Sequence, residues 1–364
     1  LSTRFEAVPG ILPDGLSLSD LEAVRLILRG GSVVDWHRLN LDSDDEVDRF
    51  LTVNGFDPLE SEDMERLDYL RECAIGYLRG VFRYCFPPEI AKDASARDLL
   101  RIASSESEFQ ALACVLLKVM HIVNHIESQE LHHHLPVSEN DLFERAEKAV
   151  TRVVRELQDA GAPIVRYEAS RKSRNSLITK LLAKKASLAS QVFDRVRFRI
   201  ITRTAADLVP VLSYLKDRIL PYNYVIPGES RNEILHAEDF LQTPVILGEE
   251  GHRLRFQFEM EDASADRESN LFSSSSFRMI NFIVDMPIQV KDVIRNADNP
   301  VMKRLGSRIF LLVEFQMFDQ ATWHENERGD ANHEAYKDRQ HWAVLRRLMH
   351  GGGFGPNFVG KTRF

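Results

Sequence analysis

Up to about residue 160 the apolar residues recur at intervals of three and four, the spacing of helices that bury one face. Ser19-Asp20-Leu21-Glu22 has the form of a capping box, and Leu21, Val24, Ile27 and Leu28 carry the stripe from there to a stop at Gly30-Gly31. Further helices are predicted over 63–84, closed by Pro87-Pro88, over 107–127, and over 139–160, closed by Gly161 and Pro163. No strand stands out in this region. Beyond it the period changes. Residues 192–201, 277–290 and 308–318 alternate as strands do, while 173–190, 205–217 and 332–349 keep helical spacing. The expectation is an all-helical region over 1–160 and a region of strands and helices over 165–350. A polar insertion falls near 228–275 and a Gly-rich tail over 351–364.

Composition adds little to that picture. The 364 residues suffice for one or two globular domains, and 44% hydrophobic with 28% charged residues is ordinary for them. No run of about 18 apolar residues is present, so no membrane partner is expected. Cys73, Cys85 and Cys114 are too few and too scattered for a disulfide framework or a thiolate zinc site. With no secretory pattern at the start, a cytoplasmic location is expected.

Charge changes the picture when it is resolved along the chain. The formal net charge is -8, which argues against a surface that coats nucleic acid. Between Arg166 and Arg199, however, ten basic residues face two acidic ones, a local net of +8. Lys172, Ser176, Lys180 and Lys184 recur every four residues, so on a helix starting near Ser173 they form one stripe. Like charges at that interval repel, which an anion lying along the stripe relieves, and free N–H groups at the helix start add to the attraction. The following strand places Arg195, Arg197 and Arg199 on one face and Val196, Phe198 and Ile200 on the other; Asp194 has the parity of the apolar face. In 308–318 the odd positions are all apolar, whereas Glu314 and Gln316 share the opposite face with Phe310, Leu312 and Phe318.

Lys172-Ser173-x-x-Ser176-x-x-x-Lys180, Asp194 with Arg199, Glu314 with Gln316, and the ending Asn332-His333-Glu334-Ala335-Tyr336-Lys337 occur in that order. Together they resemble the synthetase domain of the RelA/SpoT family, the (p)ppGpp or alarmone synthetases, over about residues 165–340. Phe277 stands where the family has a guanine-stacking Tyr, Asn281 where it has a His, and Phe318 where it has an Arg. The first Arg of the family's basic motif falls on Ser170. Tyr222-Asn223-Tyr224 is similar to the family's approach to the acceptor site. The resemblance implies an α+β fold class, with the helical N-terminal region followed by a mixed-sheet, nucleotidyltransferase-like domain flanked by helices.

It also implies a chemistry. ATP lies with its phosphates on Lys172, Ser176, Lys180, Lys184 and Arg199, and Mg²⁺ is held by Asp194 and Glu314. Glu314 takes the proton of an attacking ribose hydroxyl, so that pyrophosphate passes to GDP or GTP. Phe277, Asn281, Gln316 and His333 are the implied acceptor-binding residues. A tRNA 3′ end as acceptor and a silent nucleotide-binding module are the alternatives. The helical region is expected to regulate, to buttress or to form a homo-oligomer, and without a His-Asp metal motif it is not expected to hydrolyse alarmones.

Three other motifs weigh less. Residues 355–362 fit the Walker phosphate-binding pattern, but no apolar strand precedes them and the helix the pattern needs is not expected. His121 and His125, with His132-His133-His134 beyond, lack a carboxylate base between them and read as packed or surface histidines. Trp323 and Trp342 read as core or interface anchors.

Overall fold

The structure, a computed structural model, describes residues 18–30, 39, 41, 43–184, 195–236, 277–297, 299–328 and 333–350. The predicted insertion over 228–275, Asp194 and the tail with its Walker-like stretch lie wholly or largely outside them.

Helices come first. They are α1 (Leu18–Arg29), α2 (Asp44–Val53), α3 (Ser61–Phe82), α4 (Ala96–Ala103), α5 (Gln110–His134) and α6 (Glu139–Asp159). Capping boxes start α2, α4 and α6, at Ser43 with Glu46, Ser95 with Asp98, and Ser138 with Asp141. The capping box expected at Ser19 is not the start of α1, because the helix already begins at Leu18. Asp20 instead holds Lys216 at 2.6 Å. Gly30 ends α1 at φ +64, and a Cβ there would meet the Ser230 hydroxyl at 2.9 Å, so both backbone and space call for glycine.

The second half contains β1 (Ile164–Arg171), α7 (Arg174–Lys184), β2 (Val196–Thr202), α8 (Leu208–Arg218), β3 (Arg231–Asn232) and β4 (Ile280–Gln289). It continues with α9 (Lys291–Asn296), α10 (Pro300–Leu305), β5 (Arg308–Asp319), α11 (Gln320–Asn326) and α12 (His333–His350). The chain is α+β. Its sheet runs β1-β2-β5-β4-β3, mixed because β2 and β5 are parallel and the other pairs antiparallel.

The change of period near residue 160 is not a change of core. Leu21, Val24 and Ile27 of α1 and Leu142, Ala146, Val150 and Val153 of α6 pack in one cluster with Val196, Phe198, Phe282, Val313 and Phe315 of the sheet. A second core, with Leu51, Leu67, Leu70, Leu99 and Leu116, joins α2 to α5. Helix α5 is long and apolar enough, by length and composition, to cross a membrane, which the scan for apolar runs missed. Of its most apolar stretch 44% is buried, and it packs on α3, α4 and β5.

Candidate active site

The sheet has one apolar and one polar face, and the polar one is built by register. Glu168 of β1 lies opposite Arg199 of β2, Arg199 opposite Gln316 of β5, and Gln316 opposite Asn281 of β4. One step along, Ser170, Arg197, Glu314 and Ile283 form the adjoining row. Strand alternation sends all of these side chains to the face opposite Phe198 and Phe315. Residues from four strands, distant in sequence, therefore meet.

Their hydrogen bonds are continuous. Arg197 Nε donates to Glu314 Oε2 at 2.6 Å, and Gln316 Nε2 donates to Glu314 Oε1 at 3.2 Å. The two terminal nitrogens of Arg199 donate to Glu168 Oε2 and Gln316 Oε1, each at 3.1 Å. Arg199 Nε is buried without a hydrogen-bond partner, as is Asn281 Oδ1. Burial, and then Arg197 beside it, holds the Arg199 guanidinium below its ordinary pKa. Trp323 of α11 lies under Arg199 at 4.8 Å, and Arg166 sits over the same ring at 5.7 Å.

The basic helix joins this face at one end. Lys172 N donates to Arg195 O at 2.9 Å, which ties the start of α7 to the entry of β2. Ser176 N donates to the Ser173 hydroxyl at 3.3 Å, so Ser173 caps the helix one residue before the Arg174 start. Ser176 and Lys180 share a helix face as their spacing predicts, whereas Lys172 precedes the Ser173 cap and lies off the helix, so the predicted stripe is shorter by its first member. Lys184 ends the helix, and its side chain lies outside the described residues. Helix α12, which opens with His333, packs against α7; the His333 side chain is likewise outside the description.

Several expectations are corrected. Arg195 does not extend the row of Arg197 and Arg199, because it precedes the regular strand and pairs with Glu139 at the start of α6. Tyr222 and Tyr224 do not join the polar row: Tyr224 is buried and Tyr222 half-buried in the seam between the helical core and the sheet. Tyr222 lies 5.7 Å from Phe50, and Tyr224 lies 4.2 Å from His121 and 4.5 Å from Phe310, ring to ring. Phe277 stands edge-on to Phe318 at 6.3 Å, so one side of the proposed stacking ring is already packed. The reading of His121 and His125 as packed histidines agrees with the structure: His125 bonds Asp285 at 2.6 Å, and burial lowers the pKa of His121 to about 3.

The Mg²⁺ expected on Asp194 and Glu314 does not fit the described residues as arranged. Asp194 lies outside them, and each oxygen of Glu314 already accepts a hydrogen bond, one of them from a cation. Among the described residues no group of three or more His, Cys, Asp or Glu side chains could hold a metal ion.

No family model matches this chain, and none of the curated proteins does. Solved structures do match. Small alarmone synthetase 1 from Bacillus subtilis is 15% identical, with 58% of this chain and 86% of that chain covered at a TM-score of 0.30. The chain is similar to small alarmone synthetases. A second such enzyme, small alarmone synthetase 2 from Bacillus subtilis, is 14% identical over 58% of this chain and 95% of its own, at a TM-score of 0.29. A GTP pyrophosphokinase family protein from Streptococcus pneumoniae is 12% identical over 58% and 86%, also at 0.29.

Sequence reasoning missed three contributors to the polar face. Glu168 went unseen because β1 is an edge strand without clean alternation. Trp323 was read only as an anchor, and nothing local to it signals the Arg199 contact. Arg197 had the right parity, but its bond to Glu314 spans 117 residues of sequence, which periodicity cannot show.

Proposed function

We propose that the polar face transfers pyrophosphate from ATP to a ribose hydroxyl of a second nucleotide, with GDP or GTP as the acceptor. The observation that carries the reading is the two-strand row in which Arg197 and Arg199 stand directly beside Glu314 and Gln316. Lys172 just before α7, Ser176, Lys180 and Lys184 on α7, and Arg199 on β2 supply cations and donors for the triphosphate. Such charge-assisted bonds are stronger than neutral ones. The Arg199 Nε–H, buried and unpartnered, gives that phosphate-facing role a specific donor.

Of the two carboxylates on this face, Glu168 and Glu314, Glu314 in the central strand is assigned the proton of the attacking hydroxyl. The hydroxyl oxygen forms a bond to the β-phosphorus as the bond from that phosphorus to the bridging oxygen of the α-phosphate breaks, and AMP leaves with the electron pair. Positioning and charge neutralisation carry most of such a transfer. Phe277 and Asn281 border the row on the β4 side, where an acceptor base would lie, with Gln316 between and His333 at the neighbouring helix start.

A silent nucleotide-binding module is the second reading, and the Glu314–Arg197 bond favours it, since a base already bonded to a guanidinium is a poor proton acceptor. One experiment separates the two: incubation with γ-labelled ATP, magnesium and GDP or GTP, followed by separation of nucleotides. Transfer yields AMP and a labelled guanosine product in equal amounts. Binding of ATP without either product establishes the silent module instead.

A further inference from the structure

We infer that Arg197 is a positioning residue that serves as the built-in counter-ion of Glu314 and excludes a divalent cation from that carboxylate. The inference deepens the reading above, resting on it only for the chemical role of Glu314. Arg197 and Glu314 are paired across parallel strands, Cα opposite Cα, so the backbone itself brings the two side chains together. The pair is largely withdrawn from water, at 23% and 9% exposure, where charges act more strongly on each other than in solvent.

A hard cation binds carboxylate oxygens directly. At Glu314 it would arrive within a few ångströms of the Arg197 guanidinium, with Arg199 beyond it on the same strand. Gln316 holds the second oxygen, and its own carbonyl is taken by Arg199, so the carboxylate cannot turn away without breaking the row. Arginine carries its charge at every accessible pH, so this exclusion does not relax by deprotonation. A metal reaches Glu314 only when the guanidinium is drawn off by another anion, such as a nucleotide's phosphates.

The test measures Mn²⁺ alone, by electron paramagnetic resonance titration without nucleotide, on the wild type, Glu314→Gln, Arg197→Ala and the double variant. The double variant separates an ion gained at Glu314 from one held by other groups near Arg197. Wild type and Glu314→Gln are expected to bind Mn²⁺ alike, Arg197→Ala at least tenfold more tightly, and the double variant to fall back to the wild-type level. Arg197→Gln, which keeps a donor for the carboxylate, replaces the alanine variant if that does not fold, and Arg197→Lys should restore the exclusion. The inference is overturned if Glu314→Gln already weakens Mn²⁺ binding tenfold, or if neutralising Arg197 leaves it unchanged. Because the titration needs no turnover, its result stands whether or not pyrophosphate transfer is found.

Discussion

Strand β5 carries two arginine–carboxylate pairs, one at its start and one midway along it. At its start Arg308 meets Asp63 of α3, both side chains 2% exposed, with the guanidinium over the Phe56 ring at 3.9 Å. Midway along it Glu314 meets Arg197, at 9% and 23% exposure, beside a second arginine with an unpartnered N–H. The chemistry of the two pairs is the same and their surroundings are not. Arg308 is sealed by aromatic and backbone atoms and welds the helical core to the sheet. Arg197 stands in a row of polar groups that another ligand can rearrange. A buried ion pair thus reads as a fastening or as a site according to what else lines it, and removing its members should have different consequences.

The largest effect is expected at the site. Glu314→Gln should lower the rate of pyrophosphate transfer by about 100-fold or more, the usual range for a lost general base. Its Oε1 can still accept from Arg197, so chemical denaturation should show a smaller loss of stability than Asp63→Ala does. Asp63→Ala reverses that pattern. It leaves Arg308 charged and buried, costing about 3–5 kcal/mol of unfolding free energy by urea titration. Nucleotide affinity should hold in whatever fraction stays folded. If Asp63→Ala instead spares stability and abolishes binding, the two pairs have been assigned the wrong way round.

A third prediction uses pH to probe the seam. The His121 pKa is lowered to about 3 by burial, and secondarily by His125, from an ordinary value of 6.5. Below 6.5 the unfolded chain takes up a proton that the folded one refuses. Stability is therefore complete above that pH and declines as pH falls towards 3, by up to about 1.4 kcal/mol per unit. His121→Phe should flatten this slope in thermal melts between pH 6 and 4; an unchanged slope would show that other groups set it. The smallest effect is expected for Trp323→Ala, which removes the ring beneath Arg199 and should cost about 1 kcal/mol of stability.

How much of this was legible depends on range. The parity of β5 put Glu314 and Gln316 on one face without any structure, because alternation is local. The helix near Ser173 was legible for the same reason, although Lys172 falls before it and drops out of the stripe. What eluded the sequence is pairing between distant strands. Only the register shows that Arg197 faces Glu314 rather than solvent, and that Glu168 belongs to the row at all. Likewise α1 has the spacing of any amphipathic helix. Nothing in Leu21, Val24 or Ile27 says that they join the sheet's core rather than that of the nearer helices.

The central claim, that the polar face and not the seam holds a nucleotide's phosphates, is tested most directly by calorimetric titration with the ATP analogue AMPCPP. Arg199→Ala, in the row, should weaken binding at least tenfold, the loss expected for charge-assisted bonds to phosphate. His125→Ala, in the seam, should stay within about twofold of wild type, since it removes no phosphate donor. Equal affinity in wild type and Arg199→Ala, or a loss confined to His125→Ala, would contradict the account.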